Sequence, residues 1–279
     1  MLGRDRIEYK STEQIRVMRR AGLVVADALA AVRAAISPGT TTAELDTVAR
    51  DVIESAGATP SFLGYHGYPA VLCVSVNDEI VHGIPGPREI AEGDVVSVDC
   101  GAIVDGWHGD SAFSVVVGEG DPADLELVET TEAAMWAGIA ALATGDRLSG
   151  VGHAVEDVVD LALAAGKNGG QRYGVVQEYV GHGIGSAMHQ APEVLNYRVR
   201  DKGPRLRPGM CLAVEPMLVR GERFTQVLED DWTVVTDDGS RAAHWEHSVA
   251  LTPAGVCVLT AHDGGAAELG ARGVTVAAP

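Results

Sequence analysis

Apolar positions near the start of the chain recur at alternating steps of three and four: Ile15, Met18, Gly22, Val25, Leu29, Val32 and Ile36. That spacing places them on one face of a helix of about seven turns. Ser11-Thr12-Glu13-Gln14 supplies a capping box at its start, and Pro38-Gly39 a stop. Thr41-Thr42-Ala43-Glu44 caps a second helix running to Ala56-Gly57. After Pro60 the period becomes that of strands, with short β-branched runs at 71–76, 95–99 and 112–117.

The second half repeats this order. Helical patterns cover 124–143 and run from Gly150 to the Ala165-Gly166 stop. Strand-like runs follow at 175–180, 210–214, 233–236, 248–251 and 256–259. Residues 91–99 also align with 207–215 at a constant offset of 116, matching Gly, apolar alternation and a terminal acid. The doubling suggests two similar halves about a pseudo-twofold axis with a site between them. Two unrelated strands that each follow a glycine turn are the other account. One domain over 11–260 is expected, after a lead-in at 1–10. The Gly/Ala-rich stretch 261–279 is expected to be a flexible tail.

Composition narrows the function classes. The chain has 279 residues, 46% hydrophobic and 22% charged, the balance of a folded globular protein. Asp and Glu number 39 against 21 Lys and Arg, a net charge of −18. Such a surface opposes binding to nucleic acid or an anionic membrane and suits a site that holds cations. Four cysteines without a C-x-x-C pair are expected to be reduced thiols of a cytoplasmic protein. The N-terminus lacks a signal-peptide apolar core, and Asp27 and Arg33 interrupt the most apolar stretch.

Four carboxylates stand in otherwise apolar strand runs: Asp99, Asp110, Glu215 and Glu246. Residues two away share a strand face, and here they are small: Ser97, Ala112, Ala213 and Ser248. The opposite faces carry Val98, Phe113, Val214 and Val249. Each acid therefore faces room for a concavity, while the bulky side makes core. One strand acid is usually a solvated sheet edge. Four under one parity rule are costly unless cations lie among them. Two divalent ions about 4 Å apart repel by on the order of 16 kcal/mol at an effective dielectric of 20, and four carboxylates balance them. The pattern points to a dinuclear metal site that activates water. Asp105-Gly106 is a hairpin signal between Asp99 and Asp110 that sets both on one face. Oxygen-rich donors with imidazole suit Mn, Fe(II), Co or Zn.

Nine histidines are present, and His66, His108, His153, His244, His247 and His262 have contexts that suit packing or the surface. His82 lies before Gly83 and Pro85, in a loop at a strand end. His182 is flanked by Gly181 and Gly183, which permit close backbone approach, and His189 follows seven residues on.

With these motifs in view, the chain resembles the type I methionine aminopeptidases of bacterial form across about 7–260. The resemblance is carried by Gly64-Tyr65-His66-Gly67-Tyr68-Pro69, Asn77-Asp78-Glu79-Ile80-Val81-His82-Gly83-Ile84-Pro85, the Asp99/Asp110 hairpin and Gly181-His182-Gly183-Ile184-Gly185. Glu215-Pro216-Met217, Asp231-Trp232-Thr233 and Trp245-Glu246-His247 complete it. It implies the α/β pita-bread fold, with antiparallel sheets, helices and a pseudo-twofold repeat. It implies two divalent ions held by Asp99, Asp110, His182, Glu215 and Glu246. Asp110 and Glu246 bridge, Asp99 serves one ion, and His182 and Glu215 serve the other. The implied reaction releases an N-terminal methionine that precedes a small residue. Glu215 moves the proton, and His82 and His189 hold the substrate amide and oxyanion. Tyr65, Tyr68, Cys73, Met188 and Trp232 are the implied methionine pocket. Three residues depart from those common in that family: Met188 stands where an aromatic is frequent, Asp231 where Gly is, and His244 where Gln is usual near the metals. The implied partners are N-termini of nascent or short polypeptides, with the ribosome a candidate and the chain a monomer. An X-Pro aminopeptidase or prolidase of the same fold is the rival enzyme, and a non-catalytic binding module the rival of another class.

Overall fold

The computed structural model describes residues 6–278. The first five residues of the expected lead-in lie outside the described residues. Helix α1 covers Thr12–Ala35, α2 Thr42–Ser55, α3 Pro122–Thr144, α4 Gly150–Ala164 and α5 Ala266–Ala271. Both expected capping boxes form: Ser11 Oγ accepts from the Gln14 N–H while the Gln14 side chain accepts from the Ser11 N–H. Thr41 and Glu44 exchange the same two bonds at α2. The stripe from Ile15 to Val32 is buried, as its spacing requires.

A nine-stranded sheet forms the centre of the molecule. Its neighbours run Thr59–Pro60, Val95–Val104, Trp107–Val116, Glu246–Thr252, Cys211–Val214, Gly181–Gly183, Gln190–Val194. Leu72–Val76 adds beside Val95–Val104, and Gly255–Val258 beside Glu246–Thr252. Two three-stranded sheets flank it. One orders Ala242–His244, Met217–Val219 and Gly174–Val175; the other orders Thr225–Val227, Val234–Thr236 and Glu79–Val81. The run expected at 175–180 is strand only at its start. Beyond Val176 the chain leaves its partner, and residues 178–180 line a cavity instead.

The seam lies between Trp107–Val116 and Glu246–Thr252. Val95–Val104 flanks it on one side and Cys211–Val214 on the other, so each half gives one outer and one inner strand. Asp99 and Glu215 fall on or just beyond the outer strands, as the offset of 116 suggests. Each half has its own core. Val25, Leu29 and Val32 of α1, with Leu45 and Ile53 of α2, pack under the first pair of strands. Leu127, Met135 and Ile139 of α3, with Val151 and Val155 of α4, pack under the second. Where α1 crosses the strand that carries Asp110, a Cβ on Gly109 would lie 2.7 Å from the Gly22 nitrogen. Only a glycine lets helix and strand approach this closely.

The segment expected to be a flexible tail is packed instead. Leu269 of α5 is fully buried in the second core, and the Ala277 N–H donates to the Val256 carbonyl. Leu269, Val274 and Ala277 turn inward and anchor it, while most of the Gly and Ala around them stay exposed.

Candidate metal centre and substrate cavity

Asp105 and Gly106 close the first hairpin with Val104 opposite Trp107. Both take left-handed φ, 49° and 79°, as a type I′ turn demands. The register sets Asp99 opposite Ala112, with Asp110 two residues before Ala112, so both aspartates share one face. Across the seam Ala112 faces Glu246, which joins that face. Ser248 lies opposite Ala213, and Glu215 follows two residues later. The parity rule read along single strands therefore holds across four.

His182 reaches the acids from the next strand. A Cβ on Gly181 would stand 2.3 Å from the Ala213 carbonyl oxygen, and one on Gly183 2.3 Å from that of Ala191. The two glycines are what let the ring come in. Its Nδ1 donates to the Gly183 carbonyl at 3.0 Å, which leaves Nε2 bare, 3.3 Å from Glu215 Oε1.

Asp110, Glu215 and Glu246 are buried, and Asp99 half-buried. Asp99 Oδ1, Asp110 Oδ1, Glu215 Oε1 and Glu246 Oε1 are sealed from solvent with no hydrogen-bond partner. Burial pushes Asp99 up to about 7. Burial, then neighbouring carboxylates, push Asp110, Glu215 and Glu246 well above the usual range. Burial holds His182 at about 3, so its imidazole is neutral and fit to ligate. Two buried groups, Asp110/His182/Glu246 and Glu215/His244/Glu246, each bring donor atoms within 4.8 Å of one another, and Glu246 is common to both. A cluster this rich in unpartnered oxygens lacks positive charge, which divalent cations held among these residues would supply. The donor set fits. Asp99 stands outside both tight groups, with its buried Oδ1 the free donor on that side.

A cavity of about 450 Å³ opens on these groups. All five expected pocket residues, Tyr65, Tyr68, Cys73, Met188 and Trp232, line it, as do His82 and His189. Cys73 is one of four cysteines, all buried and unbridged. His82 sits at φ 61°, and burial lowers it to about 4. The Tyr68 hydroxyl reaches the carbonyls of Leu72 (2.9 Å) and Gly83 (3.0 Å), pinning the His82 loop. The Tyr65 hydroxyl lies 2.8 Å from His189 Nδ1, and the His189 ring stands 4.3 Å from that of His182. Trp232 packs edge-on to Tyr68 at 5.0 Å, on a turn where Asp230 accepts from the Trp232 and Thr233 N–H groups.

Sequence reasoning missed Phe62 and Tyr179, which also line the cavity. For His244 the local context suggested packing or surface while the resemblance set it near the metals; the structure places it in the cavity wall beside Glu215. Alternation carried two residues back from Glu246 was the available signal. His66 stands exposed at the same cavity. His108 bonds Ser61, His247 bonds Ser111 and Thr260, His262 pairs with Asp27, and His153 is exposed on α4.

Residues 16–253 match the model of metallopeptidase family M24. The chain is 51% identical over 259 residues to methionine aminopeptidase 1 of Mycobacterium tuberculosis, covering 92% of this chain and 96% of that protein. Methionine aminopeptidase of Thermotoga maritima superposes with a TM-score of 0.85 at 40% identity, over 91% of this chain and 99% of that one. Prolidase from Pyrococcus furiosus shares the fold, with a TM-score of 0.69 at 20% identity, and this chain covers 65% of it. With nearly end-to-end likeness to methionine aminopeptidases and a prolidase likeness confined to the fold, the chain belongs to metallopeptidase family M24, the pita-bread fold, in its methionine aminopeptidase branch.

Proposed function

We propose that this chain hydrolyses the first peptide bond of polypeptides that begin with methionine, using two divalent cations held by Asp99, Asp110, His182, Glu215 and Glu246. The carrying observation is the convergence of four carboxylates with unpartnered buried oxygens and one neutral imidazole at the wall of an apolar cavity. The bound cations supply Lewis acidity, which activates water toward a carbonyl at neutral pH. Tyr65, Tyr68, Cys73, Met188, Trp232 and the unforeseen Phe62 form an apolar, sulfur-tolerant wall that takes the methionine side chain and excludes water. His82 and His189 hold the scissile amide and its developing oxyanion. Tyr65 fixes the His189 ring through Nδ1 and leaves Nε2 to the substrate. Glu215 takes a proton from the attacking water and returns it to the leaving amine. Chains with a small second residue are the preferred substrates. Emerging chains in the cytoplasm, at the ribosome, are their natural source, and one chain carries the whole site.

The test is release of methionine from Met-Ala-Ser by the cation-loaded protein, beside cleavage of Ala-Pro. Release from the first alone supports the reading, while cleavage of Ala-Pro alone would move the chain to the X-Pro enzymes. Glu215→Gln is expected to fold and to lose about 10²–10⁴-fold in turnover. Wild-type turnover in that variant removes the proton role.

A further inference from the structure

Glu215 stands between two imidazoles. Its Oε1 is 3.3 Å from His182 Nε2 and its Oε2 is 3.7 Å from His244 Nε2. Only His182 belongs to the ligand set proposed above, yet His244 is the more deeply placed, 2% exposed against 7%. Its Nε2 is sealed from solvent and has no hydrogen-bond partner. At 3.7 Å it is too far from Glu215 for a hydrogen bond. A buried nitrogen left this way costs about 1–3 kcal/mol.

The backbone holds the ring in place. The His244 N–H donates to Ser114 Oγ at 2.9 Å, and its carbonyl accepts from the same hydroxyl at 2.8 Å. His244 also pairs opposite Met217 across the small sheet, next to the Glu215-Pro216 step. Glu215, His244 and Glu246 each offer a donor atom within 4.8 Å of the others, and all three are buried.

We infer that His244 Nε2 is a sixth protein ligand of the cation pair, added on the side of the cluster where Glu215 stands between His182 and His244. This rests on the metal-dependent reading above. A second imidazole makes the pair of sites richer in nitrogen and shifts its preference toward Zn, Co and Fe(II) and away from Mn and Mg.

The test loads the full chain with two equivalents of Co²⁺ and records its paramagnetically shifted proton NMR spectrum. Each imidazole bound through Nε2 contributes one strongly shifted, solvent-exchangeable Nδ1–H resonance. Two such resonances are expected, one lost in His182→Asn and the other in His244→Gln. Calorimetry of His244→Gln is expected to show affinity for one of the two ions reduced at least about tenfold. The wild-type count of resonances stands whether or not the variants fold. A single exchangeable resonance that survives in His244→Gln, with both ions still bound at wild-type affinity, overturns the sixth ligand and leaves the metalloenzyme reading standing. A wild-type protein that binds no Co²⁺ overturns both.

Discussion

Asp99 and Asp110 stand on strands joined by a two-residue turn, whereas Glu215 and Glu246 belong to strands with residues 216–245 between them. The two halves deliver equivalent carboxylates to one face by different routes. The first hairpin is local, and its register is set by Asp105 and Gly106. The second is assembled from distant segments, and its register is set by pairing across the seam and by the core of α3 and α4 beneath. The long excursion also carries what the first half lacks. Met217, Trp232 and His244 from it complete a cavity wall that is otherwise lined from 62–110, 178–189 and the two glutamates. Ligands come from the repeated frame, while the pocket is shared between residues 62–82 of the first half, Met188 and His189 of the second, and Trp232 of the insertion.

The sharpest way to break this comparison is at the seam, where each half gives one ligand from its inner strand. Asp110→Asn and Glu246→Gln are expected to fail alike, each lowering kcat/KM by about 10³-fold or more through loss of several kcal/mol of Lewis-acid stabilisation. Metal content and Met-Ala-Ser turnover measure it, and full activity in either variant would show that the halves are not equivalent. Next comes the seat of the first half on α1. Gly109→Ala forces a Cβ against the Gly22 backbone and is expected to cost about 1–3 kcal/mol in denaturant unfolding. An unchanged midpoint would mean that helix and strand part freely there.

The insertion is probed by Trp232→Ala. It should raise KM for methionyl substrates about tenfold, with bound metal unchanged, since pocket contacts are worth about 1–3 kcal/mol. A variant that loses metal instead would place Trp232 in the ligand frame. The smallest effect is the pH dependence of cation stabilisation. In the cation-free fold Asp99 lies at about 7, with the other three acids also raised, so protons compete with cations for the same oxygens near neutrality. Raised carboxyls cost the cation-free fold stability as pH climbs from their unfolded values near 4. His182 and His244, both held at about 3 by burial, cost it stability as pH falls below about 6.5. Both imidazoles are neutral at pH 5.5 and 7.5, so the difference in cation effect belongs to the acids. Added Co²⁺ should raise Tm more at pH 7.5 than at 5.5, by about 2–4 °C for each kcal/mol gained. Equal shifts would mean that the acids are already ionised without cations.

Features closed within a few residues could be read from the sequence. The capping boxes of α1 and α2, the Asp105-Gly106 turn and the face shared by Asp99 and Asp110 depend on neighbours in the chain. The glycines beside His182 were legible for the same reason, because they state that another backbone comes near. His244 was legible only in part: its place two residues before Glu246 and the resemblance put it near the metals, but its approach to Glu215 is set by the fold. Phe62 and Tyr179 lie in irregular segments without a period to read. The end of the chain misled through its composition, because exposed Gly and Ala outnumber the few residues, Leu269 and Val274 chief among them, that anchor it to the core.

Taken alone, the order of amino acids determined the helices, the first hairpin, the parity of the acids and the doubling of the frame. Each is an interaction of short range, or a pattern that backbone geometry makes periodic. Tertiary structure alone decided that Ala112 meets Glu246, that Glu215 stands between two imidazoles and that Met217, Trp232 and His244 of the insertion reach the cavity wall. Those depend on pairing between segments well apart in the chain, from about thirty residues for Glu215 and its two imidazoles to more than a hundred for Ala112 and Glu246. That pairing is chosen by the joint burial of two cores, which no local window of sequence contains.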